Sequence, residues 1–474
     1  MRNNPRWNSL LSWLRAVHGM DTSTEALLVE CREAPGAGYG LFAVKAVPEN
    51  AKLFVIPASA MINARTLSLI YPGQQNNENM LLSPVQLISL HLYLHRPEKG
   101  KESLDPIFGP YISTMPRDFD SHPLTWSVKR NGGVSTDLEN ALLRCLPAAT
   151  GQALEALASR FWEDWHAVCQ YLLQRPEVLR LSKSSKHTAP RDDILDYVWS
   201  WLNVNTRCIY YRLDSSPSSL LNMTLCPILD FANHAPTNTQ IKPVLPSDSS
   251  WSAPGSKKSS HRLGGDYTFV ANENVEKDQE LFLRYGSHSN RRLFVEYGFV
   301  NRWSGDAIRN GEVDGECDVQ DLVEKLFEEA GATGIWAKEV LQNEGYWGDW
   351  TMHGSPQPAH PSYRLIAALR LLCHAKASNN METCLQRWCD TVSGIQETIS
   401  EENERHWRQV LSEICLTIAS RVRAGLRRLE ESVEGEGRST EWGEWMVGNI
   451  RYLWLEELEV CECVAESVQR GEEF

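Results

Sequence analysis

Three separated stretches of this 474-residue chain combine glycine, polar and aromatic residues in ways that could do chemistry. The first is Gly36-Ala37-Gly38-Tyr39-Gly40. Without Cβ atoms its glycines can take positive φ and let a ligand come close to the backbone, although a tight hairpin turn asks for the same residues. A dinucleotide-binding loop is excluded, because G-x-G-x-x-G is missing and the following residues read as strand rather than as a phosphate-binding helix N-terminus. The second is Pro227-Ile228-Leu229-Asp230-Phe231-Ala232-Asn233-His234, an apolar run that delivers polar groups to its end. Metal binding is one reading, but His234 has no second His or Cys at ligand spacing, so hydrogen bonding to a ligand or the backbone suits Asn233 and His234 better. The third is Glu280-Leu281-Phe282-Leu283-Arg284-Tyr285-Gly286, followed by Asn290, Arg291 and Glu296-Tyr297-Gly298-Phe299-Val300. Aromatics beside glycines give a pocket flat walls and close backbone approach; core packing explains the same aromatics.

Short β elements must hold these stretches. Ala26 to Glu30, Leu41 to Val44 and Leu53 to Ile56 read as strands around the glycine turn, and β signals return at Cys226 to Phe231, Tyr267 to Ala271 and Glu280 to Tyr285. Asn8 to Met20 reads as an amphipathic helix. From Ser83 to about Trp201 the spacing turns helical, with Val85, Leu87, Ile88 and Leu92 in one stretch and Leu154, Leu157, Phe161 and Trp165 in another. Pro246 to Gly265, rich in Ser, Gly, Pro and Lys, reads as a surface loop. Beyond Trp303 the pattern is almost wholly helical, including a long run from Ser400 to about Ser432. No fixed-period repeat is visible.

Composition narrows the function classes. With 42% hydrophobic residues there is enough apolar material for two lobes, and most of the 17 tryptophans are expected in their cores. A net charge of −14 argues against a surface built for phosphate backbones, hence against direct nucleic-acid binding. Twelve scattered cysteines form no disulfide framework, and Trp13, Arg15 and His18 make the first helix unlike a secretory leader, so a cytoplasmic or nuclear protein with reduced thiols is expected. No apolar run approaches the roughly 20 residues of a membrane span.

Taken together and in this order, the Gly38-Tyr39-Gly40 turn, Asn203-Val204-Asn205-Thr206-Arg207, Asp230 with Asn233-His234, Glu280 to Gly286, and Tyr297-Gly298-Phe299 resemble the SET domain of the RuBisCO large-subunit lysine methyltransferase class. The resemblance covers roughly residues 7 to 303. The tract after Trp303, with Tyr363-Arg364-Leu365 leading into Leu369, Leu371 and Leu372, resembles that class's C-terminal substrate-binding lobe more weakly.

The resemblance implies an α+β protein, a knotted β SET fold with a helical insertion and an all-helical C-terminal lobe. Its expected limits are 1–82 for the first part of the SET domain, 83–201 for the insertion, 202–303 for the part carrying the active site, and 304–474 for the lobe. It implies S-adenosylmethionine as cofactor, held by Ala37, Gly38, Tyr39, Gly40 and Leu41 at its amino-acid end, with Thr206, Arg207, Asp230, Asn233, His234, Tyr285 and Phe299 completing the site. Arg207 matches the arginine that reaches the cofactor carboxylate. Tyr285 matches the catalytic tyrosine, with Tyr297 lining the channel, and Ile209, Tyr285 and Tyr297 meeting the substrate. The implied activity is methylation of a protein lysine, on a non-histone substrate, by a monomer that binds its protein partner through the channel and the helical lobe. A histidine substrate and a catalytically silent binding module are the alternatives. Ile209 favours lysine, since an apolar side chain cannot hydrogen-bond an imidazole nitrogen. No structural zinc is expected, because only Cys317 follows the last motif nearby.

The residue types suit that reaction on physical grounds. Methyl transfer from a sulfonium is an in-line displacement, so a protein mainly aligns the reacting atoms and excludes water. The attacking amine must be neutral, whereas free lysine has a pKa of about 10.4. A desolvated aromatic channel beside a positive sulfonium lowers it, and aromatic walls accept a methylated ammonium by cation–π attraction.

Overall fold

The computed structural model describes residues 4–74, 81–181, 194–244, 264–303, 306–433 and 441–474. The chain divides into two compact units, residues 1–120 with 158–287, and residues 121–157 with 288–474. These divisions fall elsewhere than the expected 82/83, 201/202 and 303/304. Residues 121–157, expected in the insertion, belong to the same unit as the C-terminal helices.

The first unit opens with helix Pro5–His18. The Asn4 side chain accepts from the Arg6 and Trp7 amides, Gly19 ends the helix at φ 67°, and Trp7, Leu10, Trp13 and Leu14 form its buried stripe. Three antiparallel three-stranded sheets follow. Val29–Ala34 pairs with Gly38–Ala43 in a hairpin whose register runs from Val29 opposite Ala43 to Ala34 opposite Gly38, and Glu280–Leu281 adds to its second strand, Leu41 opposite Leu281. Lys52–Ile56, Tyr267–Ala271 and Ile241–Pro243 form the next sheet, with the middle segment central. Ile62–Asn63 and Ile209–Tyr210 flank Met223–Leu225 in the last. Helices Pro84–Leu94 and Ile194–Arg207 pack together beside them.

Several expected elements differ here: the first helix is Pro5–His18 rather than Asn8 to Met20, and the first strand is Val29–Ala34 rather than Ala26 to Glu30. None of Cys226 to Phe231, where a strand is expected, is strand; the strand is Met223–Leu225 just before it, and the chain then turns sharply at Ile228 and forms a 3₁₀ turn over Leu229–Phe231. Only Glu280 and Leu281 of the third stretch are strand. The expected loop Pro246 to Gly265 lies outside the described residues apart from Gly264 and Gly265.

The second unit is built from helices, among them Pro123–Asn131, Asp137–Arg144, Asn290–Tyr297, Tyr363–Ala377, Glu401–Val433 and Glu441–Arg470. The last two pack as an antiparallel pair with Trp407, Leu411, Val422, Ile450 and Val460 buried. It is not wholly helical, because Glu316–Asp318, Thr351–His353 and His360–Pro361 form a small antiparallel sheet. Strands of two or three residues are too short to carry a period-2 signal. Among the described residues no helix is long and apolar enough to cross a membrane.

Candidate active site

The chain reaches the site through a strained turn. Ile228 has φ 69° and ψ −57°, and the Leu229 amide donates to the Pro227 carbonyl two residues back at 2.8 Å. This is a γ-turn of the rare positive-φ kind, here on a buried β-branched residue. Such strain costs on the order of 1–3 kcal/mol and persists only where the surroundings enforce it. The turn ends the buried run and brings Asp230, Asn233 and His234 out in quick succession.

Asp230 meets Arg207, the last residue of helix Ile194–Arg207. The Arg207 Nη1 donates to the Asp230 carbonyl at 3.0 Å and lies 3.1 Å from its Oδ1, an ion pair not aligned as a hydrogen bond. Burial raises the Asp230 carboxyl above its ordinary range, with Arg207 pulling it back. Burial opposes the charge of Arg207, and Asp230 beside it more than compensates, so the guanidinium stays charged. Its Nε is buried without a hydrogen-bond partner among the described residues. A buried charged donor without an acceptor is costly, so the site is built to receive an acceptor, and a ligand carboxylate is one.

Asn233 ties the third stretch to the glycine hairpin. Its Nδ2 donates to the Tyr39 carbonyl at 3.1 Å and to Glu280 Oε1 at 2.8 Å. A Cβ on Gly40 would collide with that carboxylate oxygen and stand 3.1 Å from Asn233 Nδ2, so any larger residue there must displace the Glu280 carboxylate from Asn233. Gly36 and Gly38 have φ of 76° and 78° and open space where a Cβ would be, and Ala37 and Tyr39 are exposed. Leu41 is fully buried in the middle strand.

His234 runs parallel to Leu283, and its Nδ1 accepts the Tyr285 amide at 3.1 Å. That bond places the proton of the neutral ring on Nε2, which is therefore a donor. The Tyr285 hydroxyl donates to the Ala232 carbonyl at 2.9 Å, and its ring centroid is 5.1 Å from that of His234. With its proton so placed, the Tyr285 oxygen presents lone pairs to anything else it meets.

The first unit thus brings together Tyr39, Gly40, Arg207, Asp230, Asn233, His234 and Tyr285. Two expected residues behave differently within it. The Thr206 hydroxyl donates back to the Leu202 carbonyl at 2.7 Å, an intrahelical bond. Ile209 pairs with Thr224 in a different sheet from the glycine hairpin. Tyr297 and Phe299 belong to the second unit, with ring centroids 6.1 Å apart. Tyr297 ends helix Asn290–Tyr297, which stops at Gly298 with φ 82°, and burial raises its hydroxyl pKa. The His122 ring, 3.0 Å from where a Gly298 Cβ would stand, bonds the Glu296 carbonyl at 3.2 Å; burial pushes this ring down to about 4, so it is neutral at pH 7.

Sequence reasoning assigned no role to Glu280, the acceptor for Asn233, or to Tyr111. The Tyr111 hydroxyl is buried without a hydrogen-bond partner among the described residues; burial, then nearby Asp230, push it well above its ordinary range. No spacing in the sequence points to it, because Gly109-Pro110-Tyr111-Ile112 lies 119 positions before Asp230 and reads as ordinary core.

This geometry has a counterpart among solved folds. The structure of the SET domain of LSMT bound to lysine and AdoHcy covers 99% of this chain, with 92% of that chain matched, at a TM-score of 0.60 and 17% sequence identity. The chain therefore has the fold of that SET-domain structure. No family model matches it. Among curated proteins it is 24% identical over 472 residues to SET domain-containing protein 4 of Homo sapiens, covering 97% of this chain and 90% of that protein. It is also 24% identical over 374 residues to ribosomal lysine N-methyltransferase set11 of Schizosaccharomyces pombe, covering 78% and 76%.

Proposed function

We propose that this chain is an S-adenosylmethionine-dependent protein-lysine N-methyltransferase acting on a non-histone protein. The observation that carries the reading is the Tyr285 hydroxyl, fixed on the Ala232 carbonyl next to an Asn233-His234 pair that is itself tied to the glycine hairpin. The LSMT structure holds lysine and AdoHcy, and the fission-yeast relative is named a ribosomal lysine methyltransferase.

The residues of the first unit suit S-adenosylmethionine. Arg207, with an unsatisfied buried Nε, would hold the carboxylate, the backbone around Ala37 and Tyr39 would meet the amino-acid end, and Asn233 with the His234 Nε2–H would meet the remaining polar edges. The bound group supplies a methyl on a positive sulfonium, the electrophile of the reaction. Tyr285 does not need to be a base. Its oxygen, unable to donate while it bonds Ala232, accepts from an amine N–H or from polarised methyl C–H groups, and so orients the nucleophile. Asn233 and Glu280 hold the hairpin against the segment that carries Tyr285, so alignment does not depend on substrate binding.

Lysine is preferred over histidine because Ile209 offers no hydrogen bond to an imidazole. The helices of the second unit are the proposed surface for the protein substrate, with the chain a monomer of the cytoplasm or nucleus. The test is incubation of the full-length protein with labelled cofactor and an extract of cells lacking it, followed by mass spectrometry of the labelled band. Label on a lysine of a non-histone protein is expected. Label on a histidine would move the reading to that alternative, and a protein that binds cofactor yet labels nothing is the silent module.

A further inference from the structure

Helix Pro84–Leu94 is buried nearly all round, and its last turn carries two histidines four residues apart, His91 and the capping residue His95. Both face Asp105, and the three are only 1%, 6% and 6% exposed. One donor atom from each lies within 4.8 Å of the other two. The two imidazoles address different oxygens of the one carboxylate. His91 Nε2 is 3.4 Å from Asp105 Oδ2 and His95 Nε2 is 3.7 Å from Asp105 Oδ1.

These separations are long for hydrogen bonds between ionised groups, which run about 2.7–2.9 Å, and His91 Nε2 is buried with no hydrogen-bond partner among the described residues. The His91 separation matches the edge of a tetrahedron around zinc, about 3.3 to 3.6 Å for metal–ligand bonds of roughly 2.0–2.2 Å, and the His95 separation of 3.7 Å to the other carboxylate oxygen lies just beyond it.

The outer contacts are those a metal site needs. Tyr71 Oη is 2.9 Å from His91 Nδ1, so with Nε2 on a metal the ring N–H at Nδ1 has an acceptor. Asp105 Oδ2 accepts the Phe108 amide at 2.6 Å. Ser103 donates to the His95 carbonyl at 2.7 Å and accepts the Asp105 amide at 3.3 Å, which joins the loop to the helix end.

We propose that His91 Nε2, His95 Nε2 and the Asp105 carboxylate bind one divalent transition-metal ion, zinc by its donor set, as a structural pin between the helix and the Ser103–Phe108 loop. Two imidazoles and a carboxylate suit zinc better than magnesium or calcium, which take oxygen ligands. A water or the second carboxylate oxygen completes the coordination. The site uses none of the residues assigned to methyl transfer, so it stands or falls separately from that reading. The expectation of no zinc rests on the cysteines and His234 and does not consider this helical pair.

The test uses the full-length protein, stripped with a chelator and checked for folding by circular dichroism. Titration with zinc alone, followed by elemental analysis, should show one equivalent per chain and a melting temperature raised by several degrees. The double variant His91→Gln/His95→Gln should lose that equivalent. Where the double variant does not fold, His95→Cys decides. A cysteine ligand adds a sulfur-to-metal charge-transfer band to the cobalt-loaded protein that the parent lacks. A folded parent that takes up no zinc, a double variant that keeps its equivalent, or a cobalt-binding His95→Cys protein with the parent's spectrum would each overturn the proposal.

Discussion

Tyr285→Phe separates chemistry from architecture more sharply than any other substitution. It keeps the ring beside His234 and the backbone amide on Nδ1, and deletes one oxygen that donates to the buried Ala232 at 2.9 Å. The folded state loses one neutral hydrogen bond, worth about 0.5–1.5 kcal/mol net; for a protein of this size, each 1 kcal/mol lowers the melting temperature by about 2–4 °C or less. The transition state loses the hydroxyl acceptor proposed to align the amine, and a preorganised group of that kind contributes roughly 2.7–4 kcal/mol, or about 100- to 1000-fold in rate. Turnover should therefore fall far more than stability. Single-turnover transfer of a labelled methyl at saturating cofactor measures the first, scanning calorimetry the second, and titration calorimetry should find cofactor affinity within a few-fold of the parent. If Tyr285→Phe transfers methyl at the parent rate and to the same degree, the hydroxyl only buttresses Ala232, and the reasoning about its lone pairs is wrong.

Gly40→Ala drives a Cβ into the Glu280 carboxylate and against Asn233; it should cost about 1–3 kcal/mol as overpacking and weaken cofactor binding at least tenfold by calorimetry. Gly298→Ala puts a side chain at φ 82° and 3.0 Å from His122, so a loss of about 1–2 kcal/mol is expected in denaturant titrations. In the second unit, burial holds Glu456 up at about 7 while Asn290 Nδ2 and the Glu316 amide bond it. Its folded value lies above the unfolded 4.5, so the native state binds the extra proton. The stability this gives is fully present below pH 4.5 and is lost as pH rises through about 7, with a slope of at most about 1.4 kcal/mol per pH unit. Unfolding of Glu456→Gln across pH 5 to 8 should show a flatter decline than the parent; an unchanged slope would exclude Glu456 as its source.

Much of this architecture is legible in the sequence because it rests on local signals. Gly36, Gly38 and Gly40 announce a hairpin, and the first helix is legible from its apolar spacing, although it runs over Pro5–His18 between Asn4 and Gly19 rather than over Asn8 to Met20. The pairing of Asn233 with His234 at the end of an apolar run is visible too, although not that Nδ2 of Asn233 reaches Tyr39 and Glu280 nearly 200 and about 50 positions away. The γ-turn at Ile228 is not legible. A β-branched apolar run reads as strand, and only the packed environment can force that residue to positive φ. His91 and His95 hide for a related reason. Among the leucines of a helix two histidines read as core, and their significance appears only when the loop returns Asp105 to them.

The order in which the chain visits its two units has a consequence for synthesis. Residues 121–157 leave the ribosome early, yet their partners come last. Trp126 stacks on Trp442 with centroids 5.9 Å apart, and the Cys145 carbonyl accepts from Trp454 Nε1 at 2.9 Å across a separation of 309 residues. At about 5–20 residues per second, the nascent segment waits roughly 15 to 60 seconds for those tryptophans to emerge. A ribosome stalled near residue 300 should therefore leave residues 121–157 without Trp442 and Trp454, and limited proteolysis should cut that segment faster than in the full-length protein.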